Sequence, residues 1–225
     1  ILQMTCRDRN RIAIQGDLLG AAAFGIQNVL ALSGDPMEAG DNPGARPVFD
    51  LDARTLLGAL ESMNENGTTL SGSELSAPVH FFPGAADTPF EPGWGWTTEG
   101  LRAKKAAGAR FVQTQFSFDM ELLDRYTQHL RSEGLIDGLF LLAGLGPLQS
   151  ADSARWMRDH LPGTIMPEGV IRRMECARDP RHEGVVICAE LIRQAREIDG
   201  IAGVHLMAPG RSRAIVDALQ LSGLI

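Results

Sequence analysis

Six short apolar runs alternate with helical stretches along this chain of 225 residues, and that alternation constrains the fold more than any other feature. The runs are ILQMTC (1–6), NVLALSG (28–34), APVHFFPG (77–84), RFVQTQFSF (110–118), GLFLLAG (138–144) and AGVHLMAP (202–209). Strands that alternate with helices, without hairpin turn dipeptides, predict βαβ units and a parallel sheet. Periodicity alone allows both an open doubly wound sheet and part of a closed (β/α)₈ barrel.

The stretches between the runs carry helix start and stop signals. Asp52 is a good N-cap for a helix over 52–67 that ends at Gly67, and Pro167 suits the first turn of a helix over 167–177. The other predicted helices cover 9–25, 98–109, 119–134, 150–161, 182–200 and 212–223. Strands and helices are therefore predicted to alternate along the chain, except that three helices follow one another between the fifth and the sixth run.

Charge and composition exclude several classes of function. The chain has 21 Lys and Arg against 28 Asp and Glu, a net charge of −7, which argues against nucleic acid as a partner. No apolar run reaches the roughly 18 residues of a membrane span, so no membrane partner is predicted. The three cysteines (Cys6, Cys176 and Cys188) are too few for a disulfide framework, which favours the cytoplasm. Cys176, His182 and Cys188 lack the tight pair spacing of zinc ligands, so no metal site is predicted.

Parallel α/β proteins bind their ligands at the carboxyl ends of the strands, and two such ends carry polar signals here. SGDP places Asp35 just after the second run, where the carboxylate could face a ligand or simply cap the following turn. No Gly-x-Gly-x-x-Gly fingerprint, phosphate-loop lysine or Gly-x-Ser-x-Gly elbow occurs in the sequence. The dinucleotide-fingerprint, P-loop and serine-hydrolase classes are therefore excluded.

Two glutamines interrupt the fourth run, RFVQTQFSF. Gln113 and Gln115 alternate, so they share one face of a strand that would ordinarily be apolar. Gln115 lies nearer the carboxyl end, where its amide could offer a donor and an acceptor to a flat heterocycle such as a pterin or flavin. A purely structural role fits it equally well. Gln113 is predicted to be structural.

Five stretches in combination resemble the methylenetetrahydrofolate reductase family, in its bacterial, FAD-dependent branch. They are NVLALSGDP (28–36), GDNPGARPVFDLD (40–52), AKKAAGARFVQTQFSFD (103–119), GLGPLQS (144–150) and GVHLMAPG (203–210). The resemblance runs over essentially the whole chain. It implies one (β/α)₈ TIM-barrel domain over 1–225, a flavoprotein with FAD at the carboxyl ends of its strands. It further implies an oxidoreductase that uses NADH or NADPH to reduce 5,10-methylenetetrahydrofolate to 5-methyltetrahydrofolate, in one-carbon metabolism and methionine biosynthesis.

The resemblance also implies roles for particular residues. Asp35 matches the family's aspartate beside the flavin and the folate, and Gln115 matches the glutamine that contacts the folate and the nicotinamide, so both are predicted to be catalytic. Arg211 falls where the family has an arginine that contacts substrate. The positions predicted to bind the flavin are Thr5, Leu32, Ser33, Gly34, Asp35, Ala85, Ala86 and Lys104, the last near the phosphates.

The resemblance places two further βα units before Ile1, one carrying the glutamate that acts as general acid. The chain is therefore predicted to hold six of the eight units and to be N-terminally incomplete. An alternative hypothesis is a non-catalytic pterin- or flavin-binding subunit of a methyl-transfer complex. The choice between NADH and NADPH stays open, and a homo-oligomer is one compatible assembly.

Overall fold

A computed structural model of the chain describes every residue except Asp41, Pro43, Trp94, Trp96 and Arg211. The chain forms two compact units. The first unit comprises residues 1–86 and 98–112, and the second unit comprises residues 87–97 and 113–225. A single domain over 1–225 stays a prediction.

The described residues contain one sheet of six strands. The strands are β1 (Leu2–Thr5), β2 (Asn28–Leu32), β3 (Phe82–Asp87), β4 (Phe111–Phe116), β5 (Phe140–Leu145) and β6 (Ile201–Leu206). Their order in the sheet is their order in the sequence, and β1–β2, β2–β3 and β5–β6 pair in parallel. The order never reverses, so the sheet has no switch point of the doubly wound kind. This confirms the predicted class, a parallel α/β fold of the (β/α)-barrel type with six βα units.

Eight α-helices lie in the part of the chain that the structure describes. They are α1 (Arg11–Ala23), α2 (Ala53–Glu61), α3 (Glu99–Ala106), α4 (Met120–Ser132), α5 (Ala151–His160), α6 (Glu168–Cys176), α7 (Pro180–Glu197) and α8 (Ser212–Ser222). Side chains of Asn10, Asp52, Asp119, Ser150 and Asp179 accept hydrogen bonds from the first backbone N–H groups of α1, α2, α4, α5 and α7. All eight predicted helices are confirmed, with ends shifted by a few residues. Within the described residues, no helix combines the length and apolar character that crossing a membrane requires.

The third strand is where the predicted bounds are wrong. We expected a strand over 77–84, but β3 begins only at Phe82. Asn64 lies in a π-helical turn (Ser62–Asn66) after α2, and its amide donates to the Phe81 carbonyl and accepts from the Phe81 N–H, both at 2.8 Å. Because this side chain holds both backbone groups of Phe81, the ladder with β2 starts one residue later.

Candidate functional site

The ends of β1 and β2 bring together five of the predicted flavin-binding positions in the first unit. Thr5 pairs with Leu32, and the Cys6 N–H donates to the Leu32 carbonyl at 3.0 Å. Gly34 follows with φ +95°, and a Cβ there would lie 2.7 Å from the Cβ of Arg7. Only glycine allows both that backbone conformation and that approach, so the loops after the two strands lie against each other.

Arg7 ties these loops together. Its guanidinium donates to Asp8 at 2.7 Å, and the Thr5 hydroxyl donates to the same carboxylate at 3.1 Å. The hydrogen bond from Arg7 lowers the pKa of Asp8. Arg7 Nη1 also lies 3.5 Å from the Asp35 carbonyl oxygen. Our sequence reasoning missed Arg7 and Asp8, although a charged Arg-Asp pair directly after a strand could have signalled them.

The two polar residues that follow β2 are placed differently. The Ser33 hydroxyl accepts from the Ala53 N–H at 3.1 Å and so helps to begin α2. Asp35 is exposed, and among the described residues no hydrogen bond to its carboxylate is found. Its carboxylate is therefore accessible to a ligand, whereas the Ser33 hydroxyl already has a structural partner.

The end of β3 holds the other three predicted flavin-binding positions. Ala85 is fully buried and pairs with Ala31 of β2, while Ala86 is half-buried. The Lys104 ammonium, from α3, donates to the Ala86 carbonyl at 2.6 Å. The first unit therefore has seven predicted residues at the carboxyl ends of three adjacent strands, with small side chains on β3, and the Lys104 ammonium reaches the end of β3 from α3.

Gln115, in the second unit, is half-buried near the end of β4. Its amide nitrogen donates to the Pro162 carbonyl at 3.2 Å, and its amide oxygen accepts from the Phe116 N–H at 3.0 Å. Both halves of the amide are thus engaged by backbone groups. A substrate that used this amide would have to exchange one or both of these bonds.

Gln113 is 4% exposed, as a structural residue should be. Its amide oxygen is buried, however, and has no hydrogen-bond partner among the described residues. An unsatisfied buried acceptor costs about 1–3 kcal/mol. The structural role of Gln113 stays a prediction, and burial alone does not account for a polar side chain there.

An apolar cavity of about 320 Å³ lies in the second unit at the loops after β4, β5 and β6. Phe116, Leu148, Trp156 and Met207 are among its lining residues. A Cβ on Gly146 would overlap the Met207 carbonyl oxygen, so glycine is what lets the loops after β5 and β6 approach each other. The predicted substrate contact Arg211 lies outside the described residues.

A buried hydrogen bond near the end of β3 was also missed from the sequence. The Tyr126 hydroxyl, on α4, donates to the Asp87 carboxylate at 2.6 Å, and Tyr126 is fully buried. Burial, together with the nearby carboxylate, raises the pKa of Tyr126 well above its ordinary value. The bond orients Asp87 at the end of β3. Elsewhere, the described residues hold no group of three His, Cys, Asp or Glu side chains able to bind a metal ion.

A family profile and two curated relatives that match this chain carry the same family name. The sequence profile described as "Methylenetetrahydrofolate reductase" matches residues 1–223. "Probable methylenetetrahydrofolate reductase (NADPH)" of Caenorhabditis elegans is 24% identical over 228 residues, which cover 100% of this chain and 32% of the relative. "Methylenetetrahydrofolate reductase 2" of Schizosaccharomyces pombe is 24% identical over 239 residues, which cover 100% of this chain and 36% of the relative. The chain thus spans about a third of the length of these curated relatives.

A solved structure also matches along the chain. It is an uncharacterized protein from Clostridium thermocellum, described as binding two copies of 5-methyl-5,6,7,8-tetrahydrofolic acid. Its identity is 14% and its TM-score 0.44, over 100% of this chain and 95% of the other. The profile match covers nearly every residue, and on that ground this chain belongs to the methylenetetrahydrofolate reductase family.

Proposed function

We propose that the protein binds FAD and reduces 5,10-methylenetetrahydrofolate to 5-methyltetrahydrofolate with NADH or NADPH. The observation that carries the proposal is that seven of the predicted flavin-binding residues lie at the carboxyl ends of β1, β2 and β3 and that Lys104 reaches the end of β3 from α3, together with the family match over 1–223. In parallel α/β proteins this is the end of the strands where ligands bind. Cytoplasmic localisation and a homo-oligomer remain predictions.

The residues present at these strand ends fit a flavin. Gly34, Ala85 and Ala86 have little or no side chain, so a flat ring can approach the backbone. The Lys104 ammonium, held at 2.6 Å from the Ala86 carbonyl, supplies a positive charge suited to a phosphate group. When bound, FAD would accept a hydride from the nicotinamide and pass it to the folate.

Asp35 would tune this chemistry through its charge. A carboxylate beside a flavin disfavours the anionic reduced form and so lowers the reduction potential. Asp35 is exposed after β2, next to the Gly34 turn, where a bound ring would come close to it. The same carboxylate can accept a hydrogen bond from a pterin N–H.

Gln115 would orient the folate. Its amide can present a donor and an acceptor to the pterin edge once it releases the Pro162 carbonyl or the Phe116 N–H. The Pro162 bond, at 3.2 Å, is the longer of the two and is the one we expect the substrate to replace. The backbone bond to Phe116 would then keep the amide aligned.

Purification of the full-length protein tests the proposal directly. We expect a yellow protein with FAD absorbance that oxidises NADH or NADPH when methylenetetrahydrofolate is supplied. A colourless protein that FAD cannot reconstitute would overturn it. A protein that binds both FAD and 5-methyltetrahydrofolate but never oxidises either nucleotide would favour the alternative, a non-catalytic binding subunit.

Two variants separate the roles of the site residues. Gln115→Glu should lower folate turnover more than FAD affinity, while Gln194→Glu, an exposed change on α7, should alter neither. Asp35→Asn should raise the flavin potential and slow the half-reaction with folate. Equal losses of folate turnover and FAD binding in Gln115→Glu would contradict its substrate role, and an unchanged potential in Asp35→Asn would contradict its placement beside the ring.

A further inference from the structure

An ion pair between adjacent residues lies among the predicted flavin positions of the first unit. Arg7 donates to the two oxygens of the Asp8 carboxylate, from Nε at 2.7 Å and from Nη2 at 3.3 Å. The Thr5 hydroxyl donates to the same carboxylate at 3.1 Å. On its other side, Arg7 packs its Cβ against Gly34, and its Nη1 lies 3.5 Å from the Asp35 carbonyl oxygen. We call Arg7 and Asp8 the β1 pair.

The loop that carries the β1 pair is held by backbone hydrogen bonds. The Arg7 carbonyl accepts from the Val48 N–H at 2.7 Å, and the Cys6 N–H donates to the Leu32 carbonyl at 3.0 Å. The side chains of the pair are 25% and 38% exposed, and an ion pair so open to water contributes little to the free energy of unfolding. Stability therefore does not account for two charged side chains at this position.

Both members of the β1 pair are charged at neutral pH. The hydrogen bond from Arg7 lowers the pKa of Asp8, so this carboxylate is ionised. Arg9, the next cation along the chain, forms its own ion pair with Asp17 at 2.9 Å. The β1 pair thus has no net charge, and it lies next to the loop that presents the exposed Asp35 carboxylate.

Each of these charges would act on a flavin bound at the strand ends. A nearby charge favours or disfavours the anionic reduced form, by an amount that falls with distance and with the local dielectric. Loss of the Asp8 charge would make these loops more positive by one charge and so raise the reduction potential. Loss of the Arg7 charge would make them more negative by one charge and so lower it.

We propose that Arg7 and Asp8 act as a charge-balanced pair that sets the reduction potential of the flavin together with Asp35. Asp8 neutralises the guanidinium that lies against the Asp35 loop, so the effect of the Asp35 carboxylate is not cancelled. This inference rests on the proposed function, because the flavin is the cofactor named there. It adds two positioning residues that the family resemblance did not assign.

Reduction potentials of the FAD-loaded, full-length protein test this inference, measured by equilibration with dyes of known potential. We expect Asp8→Asn to raise the potential and Arg7→Gln to lower it. Each change should alter the equilibrium constant for reduction about tenfold, equivalent to about 30 mV for two electrons. The double variant should return close to the wild-type potential. Both shifts should shrink at high salt, because the pair is partly exposed to screening ions.

Arg158→Gln and Asp159→Asn are the matched controls. Arg158 donates to the adjacent Asp159 at 2.8 Å, and this pair lies on α5 of the second unit, in none of the loops that follow β1, β2 or β3. Neither control should move the potential. Asp8→Asn also serves as the second variant if Arg7→Gln fails to retain FAD, because it leaves the Arg7 side chain in place.

Opposite signs are what a purely structural role would not produce, because a loosened loop would shift both variants in the same direction. Shifts of the same sign, or no shift in Asp8→Asn, would overturn this inference and leave the proposed function standing. A full-length protein that cannot be loaded with FAD would contradict both.

Discussion

The two compact units support their strand ends in different ways. In the first unit, charged side chains hold the loops: the exposed Arg11 donates three hydrogen bonds to Asp50, from its backbone and its guanidinium, and the half-buried Lys104 donates to the Ala86 carbonyl. In the second unit, close packing does this work: Gly184 fits against the Leu148 carbonyl, and the buried Tyr126 donates to Asp87.

This difference predicts how each region responds to change. Exposed ion pairs contribute little to the free energy of unfolding and are screened by salt, so the loops of the first unit can adjust to a ligand at low cost. Buried packing tolerates no added volume and no lost hydrogen bond without a larger penalty. Substitutions at the packed positions Gly184 and Tyr126 of the second unit should therefore destabilise more than substitutions at Arg11, Asp50 and Lys104 of the first.

Gly184→Ala should have the largest effect. The new methyl group would overlap a backbone oxygen, that of Leu148, and a carbonyl cannot rotate away as a side chain can. We expect a loss of about 3 kcal/mol, at the upper end of overpacking costs, measured by urea unfolding. Gly169→Ala in α6 is the control, because a Cβ there meets nothing within 4 Å. An equal, small effect of both changes would break the comparison.

Tyr126→Phe should cause the second-largest loss in the free energy of unfolding. It removes the 2.6 Å hydrogen bond to Asp87 and leaves the ring packing intact, so we expect a loss of about 1–2 kcal/mol. A second measurement of Tyr126→Phe, in a protein that already carries Asp87→Asn, sharpens the test, because an asparagine oxygen is a weaker acceptor than a carboxylate. The cost of Tyr126→Phe should shrink in that background, and a cost that does not depend on residue 87 would show that the hydrogen bond contributes nothing.

Lys104→Met should destabilise less, by about 0.5–1 kcal/mol, because the Ala86 carbonyl lies near solvent and can bind water instead. The same variant sharpens the prediction that Lys104 serves the flavin phosphates. FAD retention should fall by more than the stability loss explains, as measured by flavin fluorescence during dialysis. Unchanged retention would assign the lysine to the fold alone.

Asp50→Asn should change the free energy of unfolding least at neutral pH. The variant differs from the wild type mainly in how that free energy depends on pH. Hydrogen bonds from Arg11 lower the pKa of Asp50 from 3.8 to about 2. The stabilisation by the carboxylate is therefore present above pH 3.8 and is lost as the pH falls through about 2. Urea midpoints at pH 7, 4 and 2 should show this loss in the wild type, by linkage, and a weaker one in the variant.

Arg11→Gln checks the same pair from its other side. It should reproduce the weakened acid dependence of Asp50→Asn, and the double variant should add little to either single change. An acid dependence that survives in Arg11→Gln would mean that the pKa of Asp50 is set by other groups.

Much of the fold could be predicted because its signals are local. Asp52 and Pro167 each stand directly before the helix that they begin, so both helix starts could be predicted. All six strands were also predicted. β3 was misplaced because its start depends on Asn64, 17 residues before Phe81, and no pattern within the strand reports that contact. The Arg7–Asp8 pair, by contrast, was adjacent to β1 and its charge pattern was readable.

The candidate site also has some features that the sequence predicted and others that only the structure shows. Alternation placed Gln113 and Gln115 on one face, and chain direction put Gln115 nearer the ligand end. Only the structure shows that the amide of Gln115 is engaged by Pro162, 47 residues away, and that the amide oxygen of Gln113 is buried without a partner. Alternation reports which face a side chain occupies and carries no information on which atoms meet it there.

The sequence by itself determined the parallel α/β class, the order of strands and helices, the family and the list of residues at the strand ends. Hydrophobic period, caps and chain direction encode these features within one βα unit at a time. Tertiary structure decided the Tyr126–Asp87 bond across 39 residues, the fit of Gly184 against Leu148 and the apolar cavity at the loops after β4, β5 and β6. Those depend on distances between segments far apart in the chain, which only the folded backbone sets.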